Sequence, residues 1–430
     1  MAHGLITALL LSLIGFSSEP ESLESLLQRF QNMRTSISNQ GGLAPGDLNV
    51  VKSLRTDLTA WNTSNEDFTL LAAELQLSIW LNEIEQCNSL FKRLVELQPD
   101  NSRIALAWTD FQLKSGEANP DDIYRDLIKQ FPNSPDIVVN WSKYLDSKNR
   151  FSEAIAALEN LNVNDLREPN IAGLYASLLY ADNRFQDAID AIESVNSEEL
   201  KKNPIQSSKF QSDKTKYETV ASAWEEEMSI REVEAAAGDL PKAIILTEKG
   251  PIQLELFEDH APNTVANFIT LAEDGFYDGT RFHRVLPKFM AQGGDPNSRE
   301  GATGQAGIGG PGYSIKDEHT DPDARNHFAG SLSMAKTPSP NSGGSQFFLT
   351  HLPTTHLDGR HTVFGRITDG LDIARKIELN DDIISVSIIT KRDHEYIAEK
   401  IGAKEKSIKA EEKPITKGNP GITTSSQGNK

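Results

Sequence analysis

The chain has 430 residues, 38% of them hydrophobic and 24% charged, with a formal net charge of −19 at pH 7. That length exceeds one compact core, so two or three folded units are expected, and the composition is that of a soluble globular protein rather than a fibrous or membrane one. So large an acid excess repels nucleic acid and anionic membrane and excludes both as main partners, while a single cysteine, Cys87, excludes an internal disulfide and any thiolate-rich zinc site.

Leu5–Phe16 is the one long apolar run, too short to span a bilayer as a helix. It reads as the apolar region of a secretory signal, with Gly15–Phe16–Ser17 as a small-x-small cleavage site. Residues 1–18 are therefore expected to be a signal peptide and the mature protein to be exported, to the periplasm or outside the cell, with no membrane span. No Lys or Arg precedes the run, and the alternative is the buried first turn of a helix in a cytoplasmic protein.

Residues 19–198 are rich in Leu, Ala and Glu and read as a helical domain. Slid by 34 residues, the segment matches itself: Asn149-Arg150-Phe151 falls on Asn183-Arg184-Phe185, and Pro135 on Pro169. Phe151, Ala154, Ile155 and Leu158 then match Phe185, Ala188, Ile189 and Ile192, the stripe of an amphipathic helix. The spacing and the aromatic-then-Ala pattern resemble tetratricopeptide (TPR) repeats over roughly residues 65–198. Helix pairs of that kind cannot bury their apolar faces alone and stack into a solenoid. The resemblance implies a concave face able to bind a protein partner, with a ligand-free packing scaffold as the equal alternative. Cys87 lies in a helical stretch and reads as a small core residue.

Residues 199–241 read as a charged linker, polar from Lys201 to Lys216 and helical from Tyr217 to Ala237, where Gly238 closes the helix. At Ala243 the period changes from helical to alternating. Ala243–Thr247 and Ile252, Leu254 and Leu256 flank the Lys249-Gly250 turn as a β-hairpin, and Pro262 opens a helix that Gly275 ends. A short helix is expected around Leu371–Ile377 and a last strand at Ile383–Ile389. The Lys-rich segment 392–430 reads as a largely disordered tail.

Four motifs lie in register within residues 242–391: Phe282–Asp295 (FHRVLPKFMAQGGD), Ser331–Lys336 (SLSMAK), Gly343–Phe348 (GGSQFF) and His356–Gly365 (HLDGRHTVFG). In order and spacing they resemble the cyclophilin-type peptidyl-prolyl isomerases. The resemblance implies a closed eight-stranded antiparallel β-barrel with two capping helices, and an isomerase that accelerates Xaa–Pro exchange in protein folding with no cofactor and no metal. It implies Arg284 as the catalytic arginine and Gln292 as the polar group that positions it. Phe289, Met290, Phe348 and Leu357 would form the proline pocket with His361 at its rim, and Gln346, Ala335, Lys336 and Thr337 would line the groove for a proline-containing polypeptide client. Periodicity alone would make Phe289, Met290 and Phe348 core residues and Arg284 a surface charge.

His356 stands where animal members of that family usually carry Trp, which puts cyclosporin binding in doubt without threatening turnover. The helical arm is expected to dock clients or a partner. The alternative is a non-catalytic scaffold that binds proline peptides and is organised by the arm. Gly307–Gly312 fits G-x-G-x-x-G, but no strand precedes it and Pro311 interrupts it, so dinucleotide binding is rejected. His351, His356 and His361 recur every five residues, a spacing that suits no metal site.

Overall fold

The computed structural model describes residues 21–64, 67–116, 119–195 and 197–402. The expected signal segment and the chain beyond Gly402 lie outside them. No helix among the described residues is long and apolar enough to cross a membrane.

The first half is helical: α1 (Glu21–Gln40), α2 (Leu48–Ser64), α3 (Phe68–Trp80), α4 (Ile84–Leu97), α5 (Ser102–Ser115), α6 (Pro120–Gln130), α7 (Pro135–Ser147), α8 (Phe151–Glu159), α9 (Val163–Leu166), α10 (Pro169–Ala181), α11 (Phe185–Glu193), α12 (Ser197–Lys201) and α13 (Pro204–Ala237). Local sequence sets the boundaries. Asn101 caps α5 by accepting from the Arg103 and Ile104 amides, and prolines open α6, α7 and α10 at positions where the missing N–H costs nothing. The turns before α8 and α11 each place an asparagine in the left-handed region, Asn149 at φ 58° and Asn183 at φ 61°. Phe151, Ala154, Ile155 and Leu158 are buried, as are Phe185, Ala188, Ile189 and Ile192, so the matching stripes face one core. Cys87 is also buried, and burial, then Glu83, pushes its thiol up to about 12.

The segment expected as a linker is instead mostly one helix, α13, 34 residues long. Between Ile205 and Ala237 it holds neither Gly nor Pro, and Phe210, Tyr217 and Val220 fall on a single buried face. Tyr217 stacks on Tyr180 at 4.7 Å, so the polar residues that suggested a linker are the solvated side of a packed helix. Gly238, at φ 65°, ends it with an N–H donated to Glu234 O.

The second half contains β1 (Lys242–Thr247), β2 (Gly250–Leu256), α14 (Pro262–Glu273), β3 (Thr280–Arg281), β4 (Arg284–Leu286), β5 (Met290–Gly293), β6 (Ser314–Ile315), β7 (Ser331–Met334), β8 (Phe347–Thr350), β9 (Val363–Asp369), α15 (Leu371–Arg375), β10 (Asp382–Thr390) and β11 (Lys400–Ile401). The eight-stranded closed barrel is not formed. One antiparallel sheet of nine strands, ordered β3-β10-β1-β2-β9-β7-β8-β5-β4, makes a half-barrel, and β6 pairs with β11 separately. Its edge strands β3 and β4 are neighbours in sequence, joined by Phe282 and His283. Phe282 spends its amide and carbonyl on Asp381 and Asn380 rather than on a ladder between the two strands. The core beneath α14 is a ring cluster, with Phe268 5.2 Å from Tyr277, 5.8 Å from Phe347 and 5.4 Å from Phe364. The expected tail also begins later than residue 392: Tyr396 and Ala398 are buried in this core, and the Tyr396 hydroxyl donates to Glu258.

Helices and sheet share a seam. Arg375, 2% exposed, donates to Ala181 O (2.8 Å), Asp182 (2.7 Å) and His351 O (3.0 Å). Arg325 is clasped by Glu227 and Glu234 of α13, and Glu234 also receives Arg366 of β9. Phe328 packs on Trp224 at 4.7 Å. Burial alone would raise the Glu227 carboxyl, but Arg325 and Arg231 hold it below its usual range. Its stabilisation is therefore present above the ordinary glutamate pKa and is lost as acid protonates it. Arg325→Ala, which leaves Glu227 paired only with Arg231 and Glu234 only with Arg366, is expected to cost about 1.5–3 kcal/mol in urea unfolding at pH 7, the scale of a lost hydrogen bond to a charged group. A loss below about 1 kcal/mol, the scale of an exposed pair, would show the seam to be solvated.

Candidate active site

The site begins with the β4–β5 hairpin. Arg284 pairs in register with Gln292, Val285 with Ala291 and Leu286 with Met290. Side chains alternate across a strand, so this register sends Arg284, Gln292 and Met290 to one face. Arg284 Nη1 donates to Gln292 Oε1 at 3.3 Å, and Gln292 Nε2 donates to Gln346 Oε1 at 2.9 Å. Gln346 Nε2 in turn reaches Gly309 O at 2.9 Å and Gly307 O at 3.0 Å. An exposed arginine thus heads a chain of amides that runs into the fold.

Below it lies an apolar floor. Met290 and Phe348 are buried, held by β5–β8 pairing of Met290 with Thr350 and Gln292 with Phe348. Phe289 is half-buried with the His356 ring 5.3 Å away, and His361 meets Phe348 edge-on at 5.5 Å. Leu357 lies on the same short turn as His356. Beside this pocket a groove of about 510 Å³ is lined by Gln292, Ala335, Lys336, Thr337, Gln346 and the 307–313 loop. Eleven of the twelve side chains named from the sequence are thus linked through these contacts, in two adjoining parts, and Leu357 follows His356 on its turn.

The 307–313 loop is what sequence reasoning left out. Fully buried Asp295 accepts from the Gly307 and Gly309 amides, and a Cβ on Gly309 would stand 2.1 Å from the Asp295 carboxylate. Glycine is required there by close approach, not by phosphate binding. The available signal was the glycine run itself. Also missed was the layer behind Phe348: His327 stacks on its ring at 6.0 Å, sharing Nδ1 with Asp358 (2.8 Å) and Nε2 with the Ser333 hydroxyl (3.0 Å). Lys336 is tied to Asp317 at 2.9 Å, which fixes one groove wall.

The comparisons bear on this same segment. The family of cyclophilin type peptidyl-prolyl cis-trans isomerase/CLD matches residues 243–392. A peptidyl-prolyl cis-trans isomerase of Synechococcus elongatus is 50% identical over 153 residues, which are 35% of this chain and 98% of that protein. The chain belongs to the cyclophilin-type peptidyl-prolyl cis-trans isomerases. Peptidyl-prolyl cis-trans isomerase B of Bacillus subtilis is 46% identical over 144 residues, 34% of this chain and 94% of its own. A crystal structure of a Cryptosporidium parvum cyclophilin type isomerase in the presence of the dipeptide Ala-Pro covers 35% of this chain and 99% of its own, at 30% identity and a TM-score of 0.31.

The histidines of this cyclophilin go to separate places. His356 is exposed against Phe289, while burial lowers the pKa of His361, whose Nδ1 is shared with Met334 O. His351 is fully buried in the seam, and burial with the nearby Arg375 pushes it down to about 4. Because His351 is neutral in the fold but takes up a proton near pH 6.5 when unfolded, its neutral burial stabilises the fold fully above pH 6.5 and progressively less below it. From pH 6.5 toward pH 4 this residue is expected to remove about 1.4 kcal/mol of stability per pH unit. Urea unfolding at pH 7, 6 and 5 of the wild type and of His351→Gln measures it. Parallel pH profiles for the two proteins would show that His351 does not carry the dependence.

Proposed function

We propose that this isomerase binds a proline-containing polypeptide segment with its proline ring over Met290 and Phe348, flanked by Phe289, Leu357 and His361, and with the neighbouring residues along the Ala335–Thr337 groove. Rotation about an Xaa–Pro bond faces a barrier of about 18–20 kcal/mol from amide resonance. No bond is broken, so what lowers the barrier is a donor that binds the twisted amide better than the planar one. In the twisted state the proline nitrogen regains a lone pair, and Arg284, fixed in advance, donates to it. Gln292 is the residue that orients Arg284. The observation that carries this assignment is the Arg284–Gln292–Gln346 chain poised above an apolar floor. A scaffold that only bound proline would have no use for a preorganised guanidinium.

The helical region is read as a TPR-like arm that brings clients or a partner protein to the isomerase, and the 34-residue recurrence of its helix pairs supports that reading. Export through the Leu5–Phe16 segment belongs to the same proposal.

Arg284→Ala in the full chain is expected to lower kcat/KM on an Ala-Pro peptide by about 10²–10³, the usual loss for one preorganised donor. A variant within about threefold of wild type, against that magnitude, would remove Arg284 from the mechanism. His356→Trp is expected to leave turnover unchanged and to tighten cyclosporin inhibition by roughly 1–3 kcal/mol, since indole offers a broader apolar face and one N–H. Equal inhibition midpoints for the two proteins would show that the position does not set that affinity.

A further inference from the structure

β4 is an edge strand of the sheet, held by three register pairs to β5 and by no other strand among the described residues, although it carries Arg284. Its connection to β5 turns through Lys288, a non-glycine residue at φ 58°. β5 is held on its other side by β8, so within the sheet β4 and the turn are the least supported part of this hairpin. Its tip is held from outside the sheet. The Lys288 N–H donates to Asn149 Oδ1 at 2.7 Å, and Asn149 Nδ2 lies 3.2 Å from Arg375 O and 3.3 Å from His351 Nδ1. The His351 N–H donates to Phe289 O at 2.9 Å. The Lys288 N–H and the Phe289 carbonyl, on either side of the turn, are thus fixed, directly or through His351, by one buried amide of the helical region. Lys288 Nζ is paired with Asp146, at the end of the preceding helix. Asn183, one repeat later, makes the matching contact elsewhere: it exchanges two hydrogen bonds with Ala329, outside the hairpin.

We propose that the turn between α7 and α8, through Asn149 and Asp146, positions the β4–β5 hairpin and so sets Arg284 over the proline pocket. This rests on the assignment of Arg284 made above. Asn149 touches no substrate and acts as a positioning residue. Met290 and Phe348 remain fixed by the β5–β8 ladder when the tip is released, so peptide binding is retained while the donor drifts. Misplacing a catalytic group by about 1 Å can cost up to about 10²-fold in rate.

The experiment compares full-length variants in a steady-state exchange assay. Asn149→Gly keeps the left-handed turn and removes the amide. It is expected to lower kcat about tenfold with KM within about twofold, a partial loss on that scale. Asn149→Asp keeps the acceptor for the Lys288 N–H and is expected to restore most of kcat. Asn183→Gly cuts the seam equally but spares the hairpin, and its kcat is expected to stay within about twofold of wild type, because no catalytic group moves. An unchanged kcat in Asn149→Gly, or an equal loss in Asn183→Gly, overturns the proposal. If Asn149→Gly does not fold, Asp146→Ala decides in its place: a fall in kcat at constant KM supports positioning, and wild-type kinetics overturn it. Arg284→Ala run beside them separates this from a wrong catalytic assignment. Should Arg284→Ala remain active, the assignment fails. Should it lose activity while Asn149→Gly does not, only the positioning fails.

Discussion

Arg375 carries a guanidinium into a seam that water does not reach, and such a group persists in a fold only when its donors are used. Three of its acceptors come from two parts of the chain: Ala181 O and Asp182 at the end of α10, and His351 O beyond β8. Its alkyl and guanidinium surface lies over Phe151 of α8 at 4.8 Å. Separating helices from sheet would strand this charge together with the Arg325–Glu227 pair. The two halves are therefore one packed body, although their sequences look like independent units.

The same accounting explains why the repeat turns matter. An asparagine in the left-handed region turns its side-chain amide outward from the helix pair, and an amide matches a backbone peptide group as donor and acceptor together. Asn183 uses this on Ala329, and Asn149 uses it on Lys288 and Arg375. A feature that closes a helical hairpin locally thus becomes a docking contact. On the isomerase side the recipients are loops and a hairpin tip, the places where backbone groups are not already spent in ladders.

Within the site, strand register brings the polar and apolar groups to one face of the sheet. The register that places Met290 in the floor also places Gln292 and Arg284 above it, so the pocket and its donor are consequences of one pairing. Deeper in, the buried His327 imidazole stacks behind Phe348 and braces the floor. Burial lowers its pKa while Asp358 opposes that shift. Gly309 closes the groove by approaching Asp295 more nearly than any side chain would allow, and Gly307, at φ 98°, donates its amide to the same carboxylate.

Much of this was legible in the amino-acid order. The 34-residue recurrence placed the paired helices, the change of period at Ala243 placed the sheet, and four motifs in register marked the segment that carries the proposed site. These are local or motif-level properties, set by spacing, caps and turn residues. The sequence read alone misassigned Lys201–Lys216, because a polar stretch looks the same in a linker and on the outer face of a packed helix until Tyr180 is seen against Tyr217. It also suggested a closed barrel, whereas Phe282 spends its backbone on residues 380 and 381 and leaves β3 and β4 as edges. The seam was invisible for the same reason: Asn149 and Lys288 are 139 residues apart, and no local pattern encodes which distant peptide group will satisfy a buried amide. The sequence by itself determined the elements and the chemistry of the pocket; only the tertiary structure decided what holds the hairpin, because buried hydrogen bonds are satisfied by proximity in space rather than along the chain.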